Sequence, residues 1–247
     1  MEIIVKNLNI TYKTLRQGTP FLILHGWGSK AERWQKVGEL LSEKGFQVII
    51  PDLPGFGQSH APKIAWGLNE YCDFVEDFAS ALKLDNFYLA GHSFGGALAV
   101  KYALRHPAKI KKMFLIGTAC IRRKTLKKRI LSAFSKILKL FSFLPFYTTI
   151  RKGFYKFLIR QSDYLNFEGV MKESYLKIIK EDLSGELANV KVPADIIWGQ
   201  KDQATPLWQG HLIHKKIPNS RFFVIQNGSH DLENTFPDEL AKLLVIR

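Results

Sequence analysis

The chain has 247 residues, of which 46% are hydrophobic and 23% charged, as in one globular α/β domain or a core domain with an insertion, and this excludes wholesale disorder and a fibrous architecture. Its 36 Lys and Arg against 22 Asp and Glu give a net charge of +14, which favours an anionic partner. Two cysteines, Cys72 and Cys120, are too few for a disulfide framework, and no apolar run is long enough to span a bilayer. These features predict free thiols and a cytoplasmic location.

Short apolar runs alternate with helically periodic segments along most of the chain. The apolar runs are rich in β-branched and aromatic residues and predict buried strands at residues 21–24, 46–50, 87–90, 113–116, 194–198 and 222–225. The first five residues alternate like a further strand, and the periodic segments predict helices at residues 31–44, 68–82, 95–106, 207–216 and 238–245. This order predicts an α/β fold with a mostly parallel sheet and helices on both faces. In such sheets the functional residues lie in loops that follow the strands.

One interval, residues 120–192, interrupts this alternation. It has helical and irregular patterns without a convincing strand, which predicts a helical cap inserted into a core formed by residues 1–119 and 193–247. The charge follows the same division, since residues 120–191 hold 16 Lys and Arg against 6 Asp and Glu, a net +10. The basic character of the chain is therefore expected to belong mainly to the cap.

A Gly-x-Ser-x-Gly pattern, Gly-His-Ser-Phe-Gly centred on Ser93, directly follows the predicted strand at 87–90 and opens the next helix. This is the context of a nucleophile elbow, in which the serine adopts a strained turn and the glycines let strand and helix approach closely. The pattern alone is common by chance. A serine hydroxyl is also a weak nucleophile that needs a general base, and the base needs an orienting acid.

Two later loops contain residues suited to both roles. Asp202 follows the predicted strand at 194–198, and His230 follows the one at 222–225. The order Ser93, Asp202, His230 is the order of nucleophile, acid and base expected for this architecture, and all three lie in loops at the same predicted edge of the sheet. We therefore predict that they form a catalytic triad.

Other acids and histidines near these loops are expected to have structural roles. Asp52, in the sequence Pro-Asp-Leu-Pro-Gly-Phe-Gly, is expected to shape a turn, and Asp231 to cap a helix. His25 is expected to form structural hydrogen bonds, and His92 to pack beside the elbow.

A tetrahedral oxyanion requires N–H donors. The residue after the nucleophile, Phe94, is expected to supply one, and the loop after the strand at 21–24 the other. In this loop, which reads His-Gly-Trp-Gly, the glycines on either side of Trp27 free the backbone to approach a substrate. Trp27 is therefore predicted as the second donor, with its indole ring as a wall of the substrate pocket.

With these motifs in place, the chain resembles the α/β-hydrolase family over nearly its whole length. The matching motifs are His-Gly-Trp-Gly around Trp27, the run that begins at Asp52, the serine elbow, and the loops of the predicted acid and base. The first two, together with Ala-Glu-Arg-Trp at residues 31–34, look most like pimeloyl-carrier-protein methyl ester esterases and related small carboxylesterases.

The resemblance implies hydrolysis of a small-molecule ester through an acyl-enzyme on Ser93. It also implies that Trp27 and Phe94 form the oxyanion hole and that no metal or organic cofactor is needed. A serine nucleophile argues against the dehalogenase and epoxide hydrolase branches, which use a carboxylate. Carbon–carbon hydrolases, lactonases, thioesterases and perhydrolases with the same triad remain alternatives. A non-catalytic ligand receptor is disfavoured, because all three triad residues are present.

The cap permits three interpretations. In one, a solvated basic face closes over an apolar pocket lined by aromatic residues that include Phe134, Phe141, Phe143 and Phe146. In another, an acidic acyl carrier protein docks on a basic run that includes Arg122, Arg123 and Lys124. In the third, the amphipathic residues 131–144 adsorb to an anionic membrane surface. The pattern disfavours nucleic acid as a partner, since no binding motif accompanies the charge.

Overall fold

Eight strands of the described residues form one central sheet. The computed structural model describes residues 1–122 and 168–245. The strands are β1 Glu2–Val5, β2 Leu8–Leu15, β3 Thr19–Leu24, β4 Phe46–Pro51, β5 Phe87–His92, β6 Ile110–Ile116, β7 Ala194–Gly199 and β8 Ser220–Ile225. They lie in the order β1-β2-β4-β3-β5-β6-β7-β8, with β2 antiparallel to both neighbours and β3 to β8 parallel. The prediction of a mostly parallel sheet is confirmed.

The sequence pattern located all of these strands except β2. In β2 the buried residues Leu8, Ile10 and Tyr12 alternate with partly exposed ones. A strand that is buried on one face has this period of two, whereas the continuous apolar runs used for the other strands mark burial on both faces. The alternation was therefore the signal by which β2 could have been predicted.

Helices cover both faces of the sheet. They are α1 Gln35–Glu43, α2 Leu68–Ala81, α3 Phe94–Arg105, α4 Gly169–Ile178, α5 Trp208–Lys216, α6 Leu232–Thr235 and α7 Pro237–Leu244. Short 3-10 helices occupy Ala31–Trp34, Pro107–Lys109 and Leu187–Asn189, so the helix predicted at 31–44 is divided into a 3-10 turn and α1. Within the two described ranges, none of the helices combines the length and apolar character that crossing a membrane requires.

The core consists of two layers separated by the sheet. Along β3, Leu22 and Leu24 join the layer that contains α2 and α3, whereas Phe21 and Ile23 join the layer that contains α1 and α7. Successive strand residues point to opposite faces, which is why one short apolar run serves both layers. The parallel strands are thus held from both sides, and their carboxyl ends are fixed relative to one another.

Helix α4, which belongs to the predicted cap, is bonded to the segment between β4 and α2. Ser174 Oγ accepts a hydrogen bond from the Trp66 N–H (2.9 Å), and Lys177 Nζ donates to the Ala65 carbonyl oxygen (2.7 Å). These bonds attach α4 to the core. The predicted cap boundaries at residues 120 and 192 stay a prediction, since residues 123–167 lie outside the described part.

An ion cluster around one buried acid connects three neighbouring strands. Asp195 of β7 has a side chain that is 1% exposed, and both of its carboxylate oxygens are bonded by Arg221 of β8 at 2.8 Å. Lys112 Nζ of β6 lies 2.8 Å from Asp195 Oδ2. Two cations therefore neutralise one acid inside the sheet, and the acid is the most deeply buried member.

This asymmetry predicts an order of stability effects. The double substitution Lys112→Met with Arg221→Met leaves the buried carboxylate without a counter-ion and is expected to lower the free energy of unfolding by about 3–5 kcal/mol. Asp195→Asn keeps a hydrogen-bond acceptor and leaves cations whose stems can extend toward water, so it should cost only about 1–2 kcal/mol. Urea unfolding of the three proteins at neutral pH measures both costs, and a larger cost for Asp195→Asn would contradict the interpretation.

Candidate active site

Ser93 lies in the turn between β5 and α3. Its backbone angles are φ 53° and ψ −113°, and a positive φ is strained for a residue with a side chain. The Ser93 N–H donates to the Ile116 carbonyl oxygen (2.9 Å), and the Ala119 N–H donates to the Ser93 carbonyl oxygen (3.0 Å). Bonds to β6 and its following loop thus hold the strained turn, which has the backbone geometry predicted for a nucleophile elbow.

Two glycines of the elbow are required by close backbone approach. A Cβ atom on Gly95 would collide with the carbonyl oxygen of Leu24, and one on Gly91 would collide with the carbonyl oxygen of Gly95. Only residues without a side chain allow these contacts. Helix α3 therefore packs directly against the ends of β3 and β5, with its N-terminus beside the loop after β3.

His230 and Asp202 form a hydrogen-bonded pair in the loops after β8 and β7. His230 Nδ1 lies 2.7 Å from Asp202 Oδ2, and the side chains are 26% and 1% exposed, respectively. Burial acts to raise the pKa of Asp202, but the hydrogen bond and charge of His230 and the hydrogen bonds from Thr205 outweigh burial and hold this pKa below its ordinary value. The ionised carboxylate favours the tautomer with a proton on Nδ1, so that Nε2 of His230 can accept a proton.

Thr205 and Gly117 complete the surroundings of the carboxylate and were not predicted from the sequence. The Thr205 N–H donates to Asp202 Oδ1 (2.8 Å), and its hydroxyl oxygen lies 2.8 Å from Asp202 Oδ2 and 3.0 Å from the Gly117 carbonyl oxygen. Gly117 has φ 47°, and a Cβ there would lie 3.2 Å from both Asp202 Oδ2 and His230 Nδ1. The Asp-x-x-Thr spacing was a local sequence pattern by which the contact of Thr205 with Asp202 could have been predicted. Gly117 is brought to the site by the fold.

His92 contacts the loop that carries His230. Its Nε2 lies 2.9 Å from the His230 carbonyl oxygen, and the two ring centroids are 4.6 Å apart. Since a carbonyl oxygen can only accept, the Nε2 of His92 carries the proton. Burial, followed by the charge of His230, lowers the pKa of His92 to about 3, so its ring stays neutral at neutral pH. His92 packs beside the elbow, as predicted.

Trp27 and Phe94 lie side by side at the N-terminus of α3. Their ring centroids are 5.3 Å apart, and the Trp27 ring also packs against Tyr175 of α4 at 5.4 Å. Phe94 is the first residue of α3, and the first N–H groups of a helix have no intrahelical acceptor and carry partial positive charge. These positions are compatible with the predicted oxyanion hole, which remains a prediction.

The loop after β3 is fixed by Asp52 and His25. Asp52 Oδ1 accepts the Ala31 N–H (2.6 Å), and His25 Nε2 accepts the Leu53 N–H (2.9 Å), while the protonated Nδ1 of His25 donates to the Gly26 carbonyl oxygen (2.8 Å). Burial lowers the pKa of His25 to about 4. Both side chains are therefore committed to structure, as predicted.

A cavity of about 660 Å³ connects these groups. Its wall includes residues of the core and of α4, namely Trp27, Ser93, Phe94, Arg122, Tyr175, Ile178, Ile179 and His230. Of the cap residues predicted to bind substrate or partner, Arg122 lies in the described part of the chain. The others lie outside the described residues: Arg123, Lys124, Phe134, Phe141, Phe143 and Phe146.

The site thus places a strained serine elbow beside an Asp–His pair, at the carboxyl edge of a parallel sheet. A comparison with protein families agrees with this arrangement. A family model described as the alpha/beta hydrolase fold matches residues 19–142. The chain belongs to the α/β-hydrolase family. It is a hydrolase of that family.

Several known proteins are similar to the hydrolase over nearly its whole length. It is 27% identical to the pimeloyl-(acyl-carrier protein) methyl ester esterase of Legionella pneumophila (strain Corby), across 95% of this chain and 100% of that one. It is 25% identical to the 2-hydroxy-6-oxo-6-phenylhexa-2,4-dienoate hydrolase of Comamonas testosteroni, across 96% and 90%. The solved structure of an esterase from Exiguobacterium antarcticum aligns with a TM-score of 0.77 and 24% identity, across 99% and 97%, which supports the fold.

Arg33 links the loop after β3 of the hydrolase to the loop of His230. Its Nη2 donates to Asp231 Oδ1 (2.5 Å), and its Nε lies 3.6 Å from Glu233 Oε1. Asp231 is the N-cap residue of α6, and its carbonyl oxygen accepts the Thr235 N–H (3.1 Å). Its carboxylate accepts no backbone N–H of the helix and instead accepts from the side chains of Arg33 and Asn234. Asp231 therefore occupies the predicted capping position, while its carboxylate forms an ion pair with an arginine that is 198 residues away in sequence.

Glu233 is a buried acid in the same cavity wall. Its side chain is 2% exposed, and burial raises its pKa from 4.5 to about 7 despite the nearby Arg33. Near neutral pH the folded hydrolase therefore carries a carboxyl group that is partly protonated at this position.

Glu233→Gln is expected to stabilise the hydrolase at alkaline pH but not at acidic pH. The folded protein keeps the Glu233 proton up to about pH 7, whereas the unfolded chain loses it near 4.5. Between these values the folded state binds more protons, so the stability of the native protein falls as pH rises, and glutamine abolishes that fall. The free energy of unfolding of the variant, relative to native, should rise by roughly 2–3 kcal/mol across this window. Urea unfolding at pH 4 and pH 8 measures it, and a difference independent of pH would contradict the raised pKa.

Proposed function

We propose that the hydrolase is a serine carboxylesterase that cleaves carboxylic esters through an acyl-enzyme on Ser93. The observation that carries the proposal is the 2.7 Å hydrogen bond between His230 Nδ1 and Asp202 Oδ2, in a site where His230 and the strained Ser93 share one cavity wall. Acyl transfer needs a nucleophile, an oriented base and donors for an oxyanion. Ser93, His230 and the N-terminus of α3 suit these three needs.

In the first half-reaction, Ser93 Oγ attacks the ester carbonyl carbon while His230 Nε2 accepts the hydroxyl proton. The π electrons of the carbonyl move onto its oxygen, and the N–H groups of Trp27 and Phe94 stabilise the oxyanion. When the tetrahedral intermediate collapses, the bond to the alcohol oxygen breaks, and that oxygen takes the proton from His230. The alcohol leaves, and Ser93 remains acylated.

In the second half-reaction, His230 Nε2 accepts a proton from water as the water oxygen attacks the acyl carbon. The second tetrahedral intermediate collapses with cleavage of the bond to Ser93 Oγ, which recovers its proton from His230. The ionised Asp202 stabilises the imidazolium in both halves without accepting the proton. Its lowered pKa favours this role, because a protonated acid would offer no charge to the imidazolium.

The Comamonas relative, named as a dienoate hydrolase, suggests a second reaction class for the same residues. Carbon–carbon hydrolysis also begins with activation at a carbonyl carbon. The Legionella relative, named as a methyl ester esterase, favours esters, and the chain spans that relative completely. Comparison of turnover of short esters with turnover of the dienoate named for the Comamonas relative decides between the two.

Ser93→Ala is expected to lower kcat/KM for p-nitrophenyl butyrate by about 10⁴-fold or more, because the acyl-enzyme can no longer form. Ser80→Ala, which removes an exposed hydroxyl from α2, is the matched control and should hydrolyse the ester at the native rate. The esterase proposal would be refuted if Ser93→Ala hydrolysed the ester at the native rate. It would also be refuted if the native protein hydrolysed no short ester at all.

Asp202→Asn is expected to reduce kcat by about 10³–10⁴-fold while the protein remains folded, because an amide stabilises the imidazolium poorly and can favour the wrong tautomer. Asp85→Asn, an exposed acid in the loop before β5, controls for the loss of one negative charge. Burst kinetics with p-nitrophenyl butyrate measure acylation directly. Equal burst rates in the two variants would remove Asp202 from the proposed mechanism.

A further inference from the structure

Arg122 lies in the wall of the catalytic cavity, after the loop that follows β6. Its Nε donates to the Ile179 carbonyl oxygen (3.1 Å), and its Nη2 donates to the Ile178 carbonyl oxygen (3.4 Å). Both acceptors belong to the C-terminal end of α4, where the helix dipole is partially negative. The half-buried side chain shares this wall with Ser93 and His230.

The contacts of Arg122 differ from those of three other described arginines. Arg33, Arg105 and Arg221 each contact an aspartate, whereas within residues 1–122 and 168–245 no carboxylate oxygen lies within 4.0 Å of Arg122. Burial lowers the pKa of Arg122 despite the opposing influence of nearby acids. A half-buried cation whose described hydrogen bonds go to carbonyl oxygens is electrostatically suited to an incoming anion.

The guanidinium of Arg122 has donors left for such an anion. It carries five N–H groups, of which the bonds to α4 engage the one on Nε and one on Nη2. The remaining edge, formed by Nη1 and the second Nη2 hydrogen, is planar and matches the spacing of the two oxygens of a carboxylate. A bidentate carboxylate contact is therefore stereochemically available.

The rest of this wall suits a short apolar chain. Ile178 and Ile179 adjoin the guanidinium, and Ile179 is 39% exposed. Two acids of the wall, Asp231 and Glu233, contact Arg33 instead. The cavity thus combines an apolar surface with one cation that no described carboxylate neutralises.

We propose that Arg122 binds a carboxylate at the far end of the substrate's acyl chain, so that the preferred substrates are half-esters of dicarboxylic acids. The inference rests on the proposed esterase function, since it requires the ester carbonyl at Ser93. The methylene chain then contacts Ile178 and Ile179. A carboxylate is favoured over a phosphate dianion, which would require a second cation, because Arg33 is already bound to Asp231.

The test compares monomethyl adipate with dimethyl adipate, and the suberate pair likewise, on the native hydrolase and two variants. The diester has the same chain but no charge. Native kcat/KM should be at least about tenfold higher for the half-ester, mainly through KM, and Arg122→Met should abolish this preference. The control Lys180→Met removes an exposed cation just after α4 that is not part of the cavity wall, and it should retain the preference.

A native protein that turns over the diester without preferring the half-ester overturns the inference and leaves the esterase function standing. The inference is also overturned if Arg122→Met keeps the native preference for the half-ester. It is overturned as well if Lys180→Met loses this preference to the same extent as Arg122→Met, because the effect would then come from overall charge. A native protein inactive on every ester refutes the proposed function instead.

A second measurement guards against misfolding of the Arg122 variant, whose substitution also removes two bonds to α4. On the native protein, adipate should inhibit p-nitrophenyl butyrate hydrolysis at about a tenfold lower concentration than hexanoate, which has one carboxylate fewer. Arg122→Lys, which keeps the charge but not the planar edge, should retain part of the half-ester preference. Equal inhibition by adipate and hexanoate would contradict the subsite.

Discussion

The contact of Gly95 with the carbonyl oxygen of Leu24 is the constraint on which the site depends. It lets α3 pack against the end of β3 without an intervening side chain, so the helix N-terminus meets the loop that carries Trp27. The turn that makes this approach forces Ser93 to a positive φ. A strained nucleophile position and a cluster of helical N–H groups therefore arise from one packing requirement, and the bonds of Ser93 to β6 and its loop offset the strain.

Electrostatics then fix the loop of His230 from three directions. Asp202 holds the Nδ1 edge of the ring, His92 bonds the carbonyl oxygen of the same residue, and Arg33 bonds the adjacent Asp231. The three contacts differ in kind, since one is a hydrogen bond to a buried carboxylate, one is a hydrogen bond between neutral groups and one is a half-exposed ion pair. Burial keeps His92 neutral, so it can support the loop without adding a positive charge beside the imidazole.

Most of the sheet could be predicted because parallel strands buried on both faces appear as continuous apolar runs. The order and loop positions of Ser93, Asp202 and His230 could be predicted for the same reason, since they depend on which strand each loop follows. Contacts between distant segments could not. Gly117 approaches the carboxylate across 85 residues of sequence from Asp202, and Asp231 meets Arg33 across 198, so neither pairing leaves a local pattern.

The net charge of +14 likewise shows how far the sequence alone can predict binding. A count of residues assigns the excess to a region, but it does not distinguish a cation that is already neutralised from one that can bind a ligand. Arg221, which is held by both oxygens of Asp195, contributes as much to the count as Arg122 does. What separates them is the surroundings: the two described hydrogen bonds of Arg122 go to helix carbonyl oxygens, and its side chain lies in the wall of the catalytic cavity. The proposed selectivity therefore depends on the surroundings of one cation, and not on the net charge of the region that contains it.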